Sequence, residues 1–396
     1  MEYKDKLRRN IYLYYLSNFF SALIFVVPIW VSFERHFISF AQMALLDAFA
    51  VGVTLILELP TGALADLIGR KKTVIIGWGM RAFGNMYIAF SVNPLMLIAG
   101  FTITSVGNAL ISGADSALLY DSLKEVGGEK KYAKISSTNA LLFQVGLAIA
   151  TLTGGYLYHI WTGLPYLLYG LAELITTLIF ILAQEPKIGF QKFNIKYYIS
   201  QTKNGFREIF KSNYVRSLSI FYILVGGITW SSQYFFIQTF ATDLGFNEIE
   251  KSWLFGVVRI INGLVLFRLL RFEKLVTKNR AFYIFPMLMI IAFLPGMFAG
   301  KFTGIIMIFI ASFLSTARFI VLGQYVNDEY CSKNRATAIS TLNMFVNIIY
   351  VIIVMGSSLI IDRYTSKGVN TFLGILSLLI VLPWGIKLAN IKSPSR

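Results

Sequence analysis

Gly62-Ala-Leu-Ala-Asp66-Leu-Ile-Gly69-Arg70-Lys71-Lys72 is the stretch on which the reading of this chain turns. It is a short, glycine-containing, basic segment set between two long apolar runs. Runs of that length with few charges recur outward from it in both directions. The chain of 396 residues is 56% hydrophobic and 14% charged, against about 25% charged in soluble domains. The apolar runs therefore read as membrane-spanning helices, and the basic segment as the connection between two of them.

Hydropathy places spans at about 11–33, 41–65, 72–92, 95–120, 136–157, 165–184, 214–240, 250–268, 281–299, 303–326, 337–361 and 369–389. Each can cross about 30 Å of hydrocarbon at about 1.5 Å per residue. The predicted fold is an all-α integral membrane protein with twelve transmembrane helices. Lys and Arg set its orientation. With the N-terminus in the cytoplasm, 28 of the 36 Lys and Arg fall in cytoplasmic segments and five in outer loops. The other three, Arg81, Arg259 and Arg318, lie inside spans. Both termini are thus expected on the cytoplasmic side of the plasma (inner) membrane. This asymmetry explains the net charge of +16 without nucleic acid. The single Cys331 excludes an internal disulfide. The basic N-terminus leads into a run too long for a cleavable signal peptide.

The longest connection, from Glu185 to about Tyr214, carries Ile195, Tyr198, Ile199, Phe206, Ile209 and Phe210 at helical spacing among lysines. That pattern predicts an amphipathic helix on the cytoplasmic membrane surface. It divides the chain into an N-terminal six-helix half (1–185), a linker (186–213) and a C-terminal six-helix half (214–396). A weak repeat supports pseudo-symmetric halves. Lys130-Lys-Tyr-Ala-Lys-Ile-Ser-Ser-Thr-Asn139 aligns with Asn334-Arg-Ala-Thr-Ala-Ile-Ser-Thr-Leu-Asn343 at an offset of 204. Repeated halves are a transporter architecture.

The Gly62–Lys72 segment resembles the loop between the second and third spans of the major facilitator superfamily, G-x-L-A-D-[RK]-x-G-R-[RK]-x, and departs from it at Leu67. The resemblance implies a secondary transporter. It also implies that Gly62, Asp66, Gly69, Arg70 and the span-four Asp121 form a conformational latch, with Lys71 and Lys72 as positive-inside anchors. Gly146-Leu-Ala-Ile-Ala150-Thr151-Leu-Thr-Gly154-Gly155 resembles the superfamily exporters' G-x-x-x-G-P-x-x-G-G, with Ala150 for Gly and Thr151 for Pro. Gly146, Gly154 and Gly155 would then pack the gate helices closely. In such a fold spans one, four, seven and ten line a central cavity. Asn18, Asn108, Trp230, Gln233, Tyr234, Arg318 and Asn343 are the candidate lining.

Ionisable groups inside spans mark function or pairing. Asp115, Glu58 and Glu173 are the candidate proton-coupling acids. Asn108, Ser112, Asp115 and Leu119 share one stripe if span four is a continuous helix. Glu58 and Arg81 lie at similar depth on antiparallel neighbours, roughly 12–13 Å from the cytoplasmic end, which predicts an ion pair. Asp47 falls at the outer end of span two, where water reaches. The interiors of spans seven to twelve hold Arg259 and Arg318 but no acid. Those arginines must pair across the halves, face water or meet an anion.

Both His lie in outer loops and no phosphate-cradling glycine motif occurs. A metal site, a cofactor and an enzyme are not expected. The leading expectation is a monomeric, proton-coupled exporter of small amphipathic organic molecules, cations included, working by alternating access. The alternative is an importer or exporter of a specific anionic metabolite, lipid or metallophore that uses Arg259 and Arg318.

Overall fold

The computed structural model describes residues 2–187, 203, 205–270, 278–331 and 335–391, with the backbone alone at 58–60, 62–64, 66, 267, 269, 270 and 336. Among the described residues there is helix and no strand. The chain clusters into two compact units. Unit 1 comprises Met1–Ile38, Phe49–Phe193 and Glu248–Gly256; unit 2 comprises Ser39–Ala48, Asn194–Asn247 and Val257–Arg396.

Unit 1 is built from α1 (Tyr3–Ser21), α2 (Trp30–Glu34), most of α3 (Phe40–Ile68), α4 (Arg70–Ala89), α5 (Pro94–Ile111), α6 (Ala114–Glu125), α7 (Tyr132–Ile160) and α8 (Leu164–Ile181). α4 packs along both α5 and α8. Gly77 faces the Gly107 carbonyl and Gly84 the Gly100 carbonyl, so a Cβ at either would sit 2.9–3.0 Å from that oxygen. Paired glycines let the two backbones touch, which is how helices associate where lipid removes the hydrophobic drive. α5 begins with Pro94 at its first position and Asn93 Oδ1 accepting from Met96 N at 3.0 Å, a standard start for a helix.

Two expected spans are interrupted. The first is helical only to Ser21; residues 22–29 run in tight turns before α2 and include Pro28, which has no N–H to donate. The fourth breaks between α5 and α6, where Gly113 takes φ +78°. That conformation suits glycine and little else.

Unit 2 contains α9 (Asn213–Ser231), a π-helical turn (Ser232–Phe236), α10 (Ile237–Asp243) and most of α11 (Glu248–Leu270). It continues with α12 (Lys278–Phe293), α13 (Lys301–Ala317), a second π turn (Arg318–Leu322), α14 (Gly323–Glu329) and α15 (Arg335–Ser357). α16 (Ile361–Leu376), a third π turn (Ser377–Val381) and α17 (Leu382–Ala389) complete it. α16 kinks at Thr365, whose φ is +56°. Asp243 closes the kink by accepting from Ser366 N at 2.7 Å. The linker's Ile195, Tyr198 and Ile199 lie outside the described residues. Its later part docks on this unit: Ile209 is fully buried and Phe206 meets Phe345 edge-on at 5.2 Å.

Nine helical stretches among the described residues are long and apolar enough to cross a membrane: Phe40–Leu57, Pro94–Glu125, Glu129–Ile160, Leu164–Ile181, Asn213–Asp243, Lys278–Phe298, Lys301–Glu329, Thr337–Ser357 and Ile361–Ala389. Of the three other expected spans, the first (11–33) overlaps α1 only as far as Ser21, and the third and eighth fall on α4 and α11, of 20 and 23 residues, which carry more charge, including Arg81 on α4 and Arg259 on α11.

Candidate functional site

The Gly62–Lys72 segment resolves into the end of α3, a one-residue turn at Gly69 (φ +98°) and the start of α4. Arg70 forms an ion pair with the buried Asp121 of α6, and its Nη1 donates to the Ala117 carbonyl at 3.1 Å. Gly62 lies within α3, and the Asp66 side chain lies outside what is described. Sequence reasoning missed Glu185. Its two carboxylate oxygens accept from Arg70 N (2.9 Å) and Lys71 N (2.7 Å), so it caps the free N–H groups that open α4. Asn10 was also missed. It bonds Ser122 Oγ (2.9 Å) and both the N–H and C=O of Gln184, tying α1 and α6 to the end of α8.

Deeper in unit 1, Arg81 engages Glu173 of α8, Asn108 of α5 and Tyr169. Glu173 is fully buried and also accepts from Asn85 Nδ2 at 2.7 Å. The depth argument gave Arg81 to Glu58, whose side chain lies outside the described residues; the partner it shows is Glu173. Asn108, expected on the cavity lining, is turned to Arg81.

Asp115 occupies the first turn of α6, just past the break. The break removes the continuous stripe through Asn108, Ser112, Asp115 and Leu119. Asp115 Oδ1 is buried without a hydrogen-bond partner, and its charge reaches the Tyr14 hydroxyl of α1. Asn139 of α7 is buried with both side-chain polar atoms unpartnered. Asn18 donates to its own helix at Tyr14 O, 2.9 Å.

On α7, Gly146 abuts the Phe19 carbonyl, Gly154 the Phe25 carbonyl and Pro28, and Gly155 the Glu248 carbonyl. Gly155 N donates to Ser252 Oγ at 2.8 Å. Each is a close backbone approach that a side chain would block.

In unit 2 two of the three π turns carry candidate residues: Gln233 and Tyr234 lie on the first, and Arg318 opens the second, while Trp230 is on α9 and Asn343 on α15. π-helical turns inside α-helices occur frequently at functional sites. Arg318 is 1% exposed, and its Nε and Nη1 have no hydrogen-bond partner. Its guanidinium lies 3.9 Å from the ring centre of Phe319 and 5.0 Å from that of Tyr222. The Tyr222 hydroxyl donates to Asn343 Oδ1 at 3.5 Å. Trp230 stacks on Tyr234 (5.6 Å, 24°) and meets Phe319 edge-on at 6.3 Å. Tyr234 in turn meets Tyr350 at 5.9 Å. The Tyr350 hydroxyl donates to Asp47, so Asp47 is half-buried and engaged rather than water-exposed. Arg259 is half-buried on α11.

Carrying the offset of 204 beyond the matched stretches gives the following correspondences. Residues 114 and 115 correspond to Arg318 and Phe319, Asn18 to Tyr222, and Asn139 to Asn343. Arg318 thus aligns with Ala114 and Asp115 with Phe319, so the two charged residues lie one position apart under this offset, each close to an interruption of regular α-helix.

Among the described residues no group of His, Cys, Asp or Glu is assembled to hold a metal. Solved transporters share the fold. A nucleoside transporter, NupG, aligns with a TM-score of 0.75 at 14% identity, covering 99% of this chain and 100% of its own. A bacterial homologue of the human lysosomal transporter Spinster aligns at 0.73 and 16%, with both chains covered in full. A D-xylose–proton symporter aligns at 0.65 and 14%, covering 96% of this chain and 97% of its own. The uncharacterised MFS-type transporter YxaM of Bacillus subtilis (strain 168) is 27% identical over 264 residues, 64% of this chain. The match spans 63% of the length of YxaM. Both the family and these neighbours are transporters rather than enzymes. Residues 11–327 match the Major Facilitator Superfamily, and the chain belongs to that superfamily.

Proposed function

We propose that the chain is a secondary active transporter that moves small amphipathic organic molecules out of the cell by alternating access, driven by protons. Twelve spans, two pseudo-symmetric halves and cytoplasmic termini belong to this reading. So do a monomeric state and the plasma membrane as its location. The observation that carries it is the buried, unpartnered Oδ1 of Asp115, two residues past the helix break at Gly113. A carboxylate oxygen with no donor, inside a membrane-spanning segment, is a place for a proton to arrive and leave. Glu173 suits a structural role better, since Arg81 and Asn85 occupy both its oxygens. The close approaches at Gly146, Gly154 and Gly155 support the exporter-like pattern of α7.

The test uses everted membrane vesicles energised to an acid interior. They are offered 2-naphthalenesulfonate, its neutral sulfonamide or 2-naphthylmethylammonium. Accumulation of at least one probe is expected, collapsed by a protonophore and absent in Asp115→Asn. Indifference of all three probes to the gradient would contradict the reading.

The second reading, a specific anionic cargo, is favoured by Arg318. A buried guanidinium beside Trp230, Tyr234 and Phe319 opposes the cationic cargo that the aromatic content alone allowed.

A further inference from the structure

We propose that Arg318 and the aromatic side chains around it form the cargo-binding site of unit 2, and that the site takes an aromatic monoanion, a carboxylate or sulfonate on a planar ring. This deepens the transporter reading above and rests on it.

Arginine this deep in an apolar setting is normally paired or hydrogen-bonded. Arg318 is neither at Nε or Nη1, and no ion pair reaches it among the described residues. Its stacking on Phe319 and Tyr222 steadies the cation but gives its N–H groups no acceptor. A carboxylate or sulfonate would supply two acceptor oxygens in the planar fork geometry that guanidinium prefers.

Three features fit a ligand rather than a leftover charge. The guanidinium lies on bare backbone, because Gly226 of α9 has no side chain and a Cβ there would collide with Nη1. The charge opens a π turn, which re-aims it relative to the helix that precedes it. Above it, Phe319 and Tyr234 are about half exposed, at 48% and 53%, and Tyr234 is stacked on Trp230. Exposed π faces beside a buried cation match a molecule with a flat apolar body and one anionic end.

The experiment measures binding alone, on the purified full-length protein in nanodiscs of zwitterionic lipid, by quenching of tryptophan fluorescence. 2-Naphthalenesulfonate is expected to bind about tenfold or more tighter than the sulfonamide or the methylammonium analogue, the difference that one or two charge-assisted hydrogen bonds produce. Arg318→Gln should erase that preference, and Arg318→Lys should keep part of it. Gly226→Ala, which displaces the guanidinium without removing it, should weaken the sulfonate selectively. An unchanged melting profile identifies variants that fold. Equal binding of the three probes, no binding of the sulfonate, or an undiminished preference in Arg318→Gln would overturn the proposal. Loss of sulfonate binding in discs of anionic phospholipid would do the same, by assigning the site to lipid headgroups. Since no gradient is applied, this result stands apart from whether Asp115 couples transport to protons.

Discussion

Arg81 and Glu173 show what a charge costs inside this fold. Glu173 is fully buried, and Arg81 is its counter-ion. Removing one member of such a pair leaves the other uncompensated, at a cost on the order of 3–5 kcal/mol. Glu173→Ala should therefore lower the thermal stability of the purified protein markedly, while the apolar double variant Arg81→Met/Glu173→Leu should recover much of it. A melt unaffected by Glu173→Ala would mean that the pair does not hold unit 1 together. Residue positions were legible in the sequence to different degrees. Arg70 and Asp121 could be matched from their motif. Arg81 could be placed only by depth, because counting residues along a span gives its level and not the side of the helix it faces. Azimuth is set by α4 packing against α8 through Gly170 and against α5 through Gly77 and Gly84. The lack of a local acid for Arg318 was readable from composition; its seat against Gly226 was not.

At the scale of elements, the breaks matter most. The α5–α6 junction depends on Gly113 at φ +78°. Any other residue there is strained by about 1–2 kcal/mol. Gly113→Val should thus either destabilise unit 1 or straighten the junction and carry Asp115 off its position. In both cases gradient-driven transport should fall severalfold, and unchanged transport would show that the break is dispensable. Glu185 is a second device at this scale. A carboxylate on the first N–H groups of a helix is worth about 1 kcal/mol. Glu185→Gln is expected to reduce the melting temperature slightly and the transport rate more, measured side by side in reconstituted vesicles. A fall in both no greater than in a surface variant would reduce Glu185 to an ordinary cap. Helix existence and order were plain from hydropathy. The π turns at Ser232–Phe236, Arg318–Leu322 and Ser377–Val381 were not, because one extra residue in a turn leaves no mark on an apolar pattern. The interruption of the first span was partly visible in Pro28.

On the scale of the whole molecule, the two units carry opposite charges near interruptions of regular α-helix, one position apart at the offset of 204. Asp115 sits beyond a glycine break in one, and Arg318 on a π turn in the other. In the proposed reading the two tasks are separate, with proton exchange at Asp115 in the first unit and the hold on an anionic, aromatic cargo at Arg318 in the second. The family was legible from one loop because its glycines and charges meet fixed geometric needs. The cargo was not, because aromatic residues are abundant throughout the chain and only packing distinguishes those gathered at Arg318.

Transport of 2-naphthalenesulfonate in reconstituted vesicles tests this division most directly, comparing gradient-driven accumulation with exchange at equal pH on both sides. Wild type should do both, Asp115→Asn should exchange but not accumulate, and Arg318→Gln should do neither. Accumulation by Asp115→Asn, or exchange by Arg318→Gln at the wild-type rate, would contradict it.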